Sequence, residues 1–134
     1  MIVVDTSALI SIVLDEPPAS RLTAVLEQES HKLLISAATM AELLIVAAGR
    51  KVLTDLHLIL DRLEFEVVPV TETVARNVGE IYLRWGKGFH PAGLNFGDCF
   101  AYELAKERAC PLLFVGNDFS RTDITAALTD ENRS

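Results

Sequence analysis

Four carboxylates stand alone in otherwise uncharged stretches of the chain. Asp5 is the only formally charged residue in positions 1–14, Glu42 the only one in 33–49, Asp98 the only one in 88–102 and Asp118 the only one in 109–120. An acid set among apolar residues is expected to be at least partly desolvated, and a buried ionised carboxylate is costly unless something positive meets it. Several such acids brought together repel and raise one another's pKa. No Lys or Arg lies within the four stretches, so a bound metal ion is the economical partner. An all-oxygen donor set points to Mg2+ or Mn2+ over Zn2+, and the Cys and His spacing of a soft-metal site is missing. Each acid has a blander role to be weighed. Asp98 could be an ordinary first-turn helix charge and Asp118 a turn residue in Gly116-Asn117-Asp118. Asp5, after an apolar strand, and Glu42, amid Met40, Leu43, Leu44 and Ile45, have weaker structural excuses.

The elements that would position these acids follow from the hydrophobic pattern. Apolar runs at 2–4, 33–36, 65–70 and 112–115 have strand length and carry Val, Ile or Phe. Three of them are nearly continuous in apolar character, as strands covered on both faces are, and helical stretches lie between them. The class is therefore α/β, with a mostly parallel sheet flanked by helices. Leu22, Val25 and Leu26 mark one helix, and Val52, Leu53, Leu56, Leu60 and Leu63 another. Val74, Val78, Ile81, Tyr82 and Trp85 form a stripe that stops at Gly86, and Asn95 is placed to cap a helix running through Phe100 and Leu104. Pro17-Pro18 and residues 86–93 are loops, and 129–134 a polar tail. In this scheme Asp5 and Asp118 lie at carboxyl ends of strands, where open parallel sheets bind ligands. Glu42 and Asp98 fall near helix starts, so all four can face one crevice.

Composition narrows the function classes. The 134 residues, half of them hydrophobic, suit one domain spanning 1–134 with a real core. No apolar stretch reaches the eighteen or so residues of a membrane span, and the N-terminus shows no secretory signal, so a soluble, cytoplasmic protein is expected. Cys99 and Cys110 are not in a Cys-x-x-Cys pair and suit reduced, buried thiols. The net charge of 12 − 19 = −7 argues against a nonspecific nucleic-acid binder, although not against an enzyme that holds nucleic acid through cations. There is no Walker loop, nucleophile elbow or dinucleotide fingerprint. A haloacid-dehalogenase phosphatase would need a second acid where Ser7 stands.

The motifs Val-Val-Asp-Thr-Ser-Ala-Leu at 3–9, Ser-Ala-Ala-Thr-Met-Ala-Glu-Leu at 36–43 and Asn-Phe-Gly-Asp-Cys-Phe-Ala-Tyr at 95–102 resemble the PIN-domain family, most closely its VapC-type toxins. Pro-Leu-Leu-Phe-Val-Gly-Asn-Asp-Phe at 111–119 continues the resemblance, so the motifs run in order over nearly the whole chain. The resemblance implies a three-layer α/β/α fold with a sheet of four or five strands and an Mg2+- or Mn2+-dependent endoribonuclease. Asp5, Glu42 and Asp98 match the family's three most regular acids. Many relatives carry a further acid where this chain has Gly116, so the fourth group falls to Asp118, or to Asn117 or Asp123. Ser7, with Thr6 as the alternative, matches a hydroxyl beside the first Asp. The family further implies a homodimer and inhibition by a cognate VapB-like antitoxin whose C-terminal segment lies across the groove.

The expected chemistry is metal-assisted hydrolysis of RNA phosphodiester bonds, without a covalent protein intermediate. Arg84, Lys87 and Arg121 lie near the acidic motifs in sequence and are the basic residues available for phosphate contact. Residues 84–90 mix bases with aromatics as single-strand binders do, a pattern a solvated helix end also explains. His90 reads as a surface residue. The rival class is a catalytically silent PIN-fold binding or regulatory module with an acidic groove, against which the intact Asp5, Glu42 and Asp98 argue.

Overall fold

A computed structural model of the chain describes residues 1–28 and 32–128. The 129–134 stretch expected to be a polar tail lies outside the described residues. The elements run β1 (Ile2–Val4), α1 (Thr6–Val13), α2 (Ala19–Gln28), β2 (Leu33–Ser36), α3 (Ala37–Gly49), α4 (Leu53–Arg62), β3 (Glu66–Val68), α5 (Glu72–Trp85), α6 (Phe96–Glu107) and β4 (Leu112–Leu113). All four strands pair in parallel in the order β3-β2-β1-β4. The three continuous apolar runs are the strands buried on both faces, β1, β2 and β4. The interrupted run became β3, an edge strand with exposed Glu66 and Val67. Beyond β4, residue Ala126 bridges Leu112 in parallel, so the chain returns beside the other edge as the stub of a fifth strand.

Side-chain alternation along the strands divides the interior in two. Ile2, Val4, Leu33, Ile35 and Leu113 point into a core shared with Leu9, Leu22, Leu26, Leu43 and Leu56, which places α1 to α4 on one face. Val3, Leu34, Leu112 and Phe114 point the other way, against Val78 of α5 and the apolar face of α6. The result is three layers, α/β/α. The helices expected from sequence are present, with Gly86 and Asn95 as the C-cap of α5 and the N-cap of α6. Most of the leucine-rich 52–63 stretch packs inward, but Leu58, like Ile45 of α3, is exposed. Among the described residues, no helix is long and apolar enough to cross a membrane. Cys99 is buried, Cys110 is half-buried, and both thiols are free.

Helix α1 was not singled out by periodicity, because Ala8, Leu9, Ile10, Ile12 and Val13 leave little polar contrast along it. Its start is nonetheless encoded: Asp5 is its N-cap, as Ser36 is for α3. Each of the two central strands therefore runs into a helix through a single capping residue.

Leu43 is wholly buried between α3 and the sheet. Leu43→Ala is expected to lower unfolding stability by about 2–5 kcal/mol, measured as a fall in the urea midpoint with an unchanged slope.

Candidate active site

The strand order places the point where the chain's progression reverses between β1 and β4. From β1 the chain steps outward through β2 to β3, then crosses back to lay β4 on β1's other side. Helices packed on opposite sheet faces diverge above such a junction and leave a crevice at the carboxyl ends of the strands. Asp5 directly follows β1 and Asp118 lies five residues beyond β4, so both acids stand at this crevice.

Three of the four acids, Asp5, Glu42 and Asp98, are oriented by neutral donors. The Ser7 amide and hydroxyl both donate to Asp5 Oδ2, at 3.1 and 2.7 Å. The Ser7 oxygen in turn accepts the Val115 amide at 3.0 Å, so one serine ties Asp5 to the chain leaving β4. The Thr6 hydroxyl donates to Glu42 Oε1 at 2.7 Å. Asp98 closes a capping box, with its Oδ2 accepting the Asn95 amide at 3.0 Å and its own amide donating to Asn95 Oδ1 at 2.9 Å. The structural role weighed for Asp98 is therefore real, and it coexists with a place in the crevice.

Gly97 went unnoticed in the sequence and proves central to the packing. A β-carbon there would stand 2.9 Å from Glu42 Cδ and closer still to Oε2. Glu42, on the second turn of α3, is thus pressed against the first turn of α6, where unpaired amides and the helix dipole favour negative charge. Only a residue without a side chain allows that approach. The sequence hint was Gly97 itself, a poor helix former inside the first turn of a helix.

The acids feel one another. Burial, opposed by the Ser7 hydrogen bonds and helped by Glu42 and Asp118, pushes the Asp5 carboxyl up to about 6. Burial pushes Asp98 up to about 7, opposed by the Asn95 amide and helped by Asp5, Asp118 and Glu42. Asp5 is 5% exposed and Asp98 7%, and neither forms an ion pair among the described residues, nor do Glu42 and Asp118. The four acids foreseen as a cluster therefore share one unneutralised negative field. They are not drawn tight: among the described residues no group of three Asp, Glu, His or Cys side chains is already closed into a metal-binding set. One oxygen each of Asp5, Glu42 and Asp98 is engaged by Ser7, Thr6 and Asn95 instead. A hard, partly hydrated divalent ion suits this arrangement, because Mg2+ retains several waters and takes only one or two carboxylates directly.

The alternatives for the fourth acid separate by position. Asp123 accepts the Tyr102 hydroxyl at 2.5 Å and Lys106 Nζ at 3.1 Å, away from the cluster, and its pKa is lowered chiefly by the tyrosine. Asn117 contributes its backbone carbonyl to the Ser120 amide and hydroxyl. Asp118, exposed, raises the pKa of both buried acids and is the fourth member of the field. Gly116 adopts a φ of +94°, in the region where side chains are strained, so the local turn explains why no acid stands there.

None of the basic residues bonds to an acid of the cluster among the described residues. The Arg84 guanidinium lies 4.9 Å over the Trp85 ring, facing a groove of about 410 Å3 between α5 and α6. Arg121 Nη1 reaches the Pro91 carbonyl at 3.4 Å, and the Lys87 amide donates to the Leu94 carbonyl at 2.9 Å, next to the Asn95 cap. His90 is not a plain surface residue: it is half-buried, packs edge-on at 4.7 Å against Trp85 and accepts the Ala92 amide on Nδ1. No polarity pattern around it in the sequence foretold that.

Comparison with known proteins agrees with this geometry. A sequence model of the PIN domain matches residues 2–124. The chain is 43% identical over 129 residues to the VapC ribonuclease Mb0640 of Mycobacterium bovis, covering 94% of this chain and 98% of that protein. Among solved structures it resembles VapC20 of Mycobacterium tuberculosis, described as a sarcin-ricin loop cleaving toxin, with a TM-score of 0.75, 15% identity and coverage of 93% and 97%. It also resembles VapBC2 of Rickettsia felis, solved with a DNA fragment of its promoter, with a TM-score of 0.70, 18% identity and coverage of 94% and 96%. The strand order, the acids at its reversal point and a match over nearly the full length agree: the chain belongs to the PIN-domain family.

Proposed function

We propose that this protein is a VapC-type endoribonuclease that hydrolyses RNA phosphodiester bonds with a divalent ion, Mg2+ or Mn2+, held by Asp5, Glu42, Asp98 and Asp118. The observation that carries it is the gathering of four acids at the reversal point of the sheet, none of them in an ion pair among the described residues. The bound ion would supply positive charge for the scissile phosphate and acidify a water for its attack. The chain's own groups do the positioning. Ser7 fixes Asp5, Thr6 and Gly97 fix Glu42, and the Asn95 box fixes Asp98, so three of the acids present their free oxygens without a cost in ordering them at each turnover. Lys87 and Arg121, from the loops flanking the acids, and Arg84 at the end of α5 are the side chains for backbone phosphates. The same reading includes a homodimer, a cytoplasmic location and silencing by a VapB-like antitoxin. The VapBC complex of R. felis supports the last of these.

The direct test is incubation with mixed RNA, with Mg2+ or with EDTA. Wild type with Mg2+ is expected to cleave, and Asp5→Asn and Asp98→Asn to lose on the order of 100-fold or more in rate. Cleavage that persists in EDTA or in both variants would sink the metal-nuclease reading.

Protonation provides an independent check. The folded chain keeps protons on Asp5 and Asp98 up to about pH 6 and 7, whereas unfolded carboxyls lose them near 4. The unfolded state then binds fewer protons, so ion-free stability falls as pH rises from about 4 to about 7 and levels off above. In EDTA, the melting temperature of wild type relative to Asp98→Asn should therefore decline over that window. Added Mg2+ should raise the wild-type melting temperature at pH 8 and have little effect at pH 5, because both acids must give up protons to hold it.

Gly97 separates activity from stability. In Gly97→Ala the flexible Glu42 must move aside, while the helix gains up to about 1 kcal/mol of propensity. Cleavage is expected to drop at least tenfold with the melting temperature unchanged or raised, and a variant that is unstable but equally active per folded molecule would contradict this placement of Glu42.

A further inference from the structure

The hydroxyl of Tyr102 is a junction of three elements. On the second turn of α6, it accepts Trp85 Nε1–H from the end of α5 at 3.0 Å and donates to Asp123 Oδ1 at 2.5 Å. Asp123 Oδ2 also pairs with Lys106, one turn further along α6, at 3.1 Å. Tyr102 is 4% exposed, so the junction joins a buried hydroxyl donor to a surface carboxylate. Nothing in the hydrolysis described above uses it.

Its importance lies in what Asp123 holds. The chain from Val115 to Thr125 carries Asp118 into the acidic crevice. At its start the Val115 amide is bound by Ser7, and at its end the Leu112 amide donates to the Thr125 carbonyl at 2.9 Å. Between these anchors the backbone folds through consecutive tight turns. Ser120 N–H donates to the Asn117 carbonyl, Thr122 N–H to the Phe119 carbonyl, and Ile124 N–H to the Thr122 hydroxyl. Phe119 is buried against Phe114 at 5.1 Å. These turns link Asp123 along the backbone to Asp118, which is exposed and makes no hydrogen bond of its own among the described residues. Gly116, at a φ of +94°, turns the backbone at the other end of the segment.

We propose that Tyr102 and Asp123 are positioning residues, a latch on α6 that fixes the 116–124 segment so that Asp118 faces Asp5 and Asp98. The step rests on Asp118 helping to hold the divalent ion as read above. Of the latch's two bonds, the tyrosine–carboxylate one dominates: it is short and charge-assisted, and its donor belongs to a buried residue. The lysine pair has about half of each side chain exposed and contributes little.

The test is a mutant cycle read by Mn2+ titration of the purified full chain in a calorimeter, with amide hydrogen exchange of the ion-free protein alongside. Tyr102→Phe and Asp123→Asn should each weaken Mn2+ binding by roughly tenfold, never by more than Asp118→Asn does. Lys106→Ala should leave it nearly unchanged. In the Asp118→Asn background, Tyr102→Phe and Asp123→Asn should cause no further loss, because they act through the missing carboxylate. Amides of 116–124 should exchange faster in both latch variants while those of β1 and β2 do not. A purely structural role would lower Mn2+ affinity equally with and without Asp118, and that result overturns the proposal. So does wild-type affinity in both latch variants, with the ion site itself intact. Absence of Mn2+ binding by wild type, or binding indifferent to Asp5→Asn, overturns the metal reading and this consequence with it.

Discussion

Unneutralised negative charge at the carboxyl ends of β1 and β4 is the condition around which the rest of the molecule is arranged. Burial of Asp5 and Asp98 is unfavourable for their ionised forms, and the proximity of Glu42 and Asp118 makes it more so. A protein seeking only stability would place a Lys or Arg here, or replace the acids by apolar residues of similar volume. Instead, among the described residues the partners supplied are neutral donors: the Ser7 amide and hydroxyl, the Thr6 hydroxyl and the Asn95 amide. Neutral donors fix direction without cancelling charge. On the proposed reading, the field is left for a divalent ion.

The architecture makes such a concentration possible. Two strands that end side by side bring residues from opposite ends of the chain, Asp5 and Asp118, to one edge. The helices then contribute their amino-terminal ends, which offset part of the repulsion. Asp5 caps α1, Asp98 completes the cap of α6, and Glu42 rests against that same turn across Gly97. The two-sided apolar core supplies the stability against which this local cost is set, and its halves meet at the sheet strands that aim the acids.

How much of this was legible in the sequence follows from the physics of each feature. The strands and the acids could be found because burial leaves a mark in composition. Continuous apolar runs mean strands covered on both sides, and a lone charge within such a run means a carboxylate that must be explained. Asn95 and Gly86 were legible because caps and stops have narrow chemistry. Helix α1 was not singled out, because a helix start packed on several sides has no polar face for periodicity to detect. The Thr6–Glu42 contact and the need for Gly97 depend on how α1, α3 and α6 meet, information spread over 36 to 91 positions of sequence. Tyr102 and Asp123 were both within reach as residue types, but their pairing is set by the return of the chain beside β4. The basic residues were least legible. Long cationic side chains are tolerated almost anywhere on a surface, so Arg84 resting on Trp85 and Arg121 reaching Pro91 follow from local packing that no charge pattern encodes.

That last point bears on how an acidic protein can act on a polyanion. With a net charge of −7 and its bases dispersed over neighbouring loops, the chain does not offer the continuous cationic track by which nucleic-acid binders gather phosphates. Four of its acids lie where the chemistry is proposed to occur, and two of them are raised in pKa partly by the others. On that reading a small cation is attracted first and the local potential is inverted by its charge. Only then does a phosphate find a favourable place between Lys87 and Arg121. On the same reading, affinity for RNA is conditional on the ion. On the proposed reading, the isolation of the four acids makes loading of the site precede engagement of the substrate.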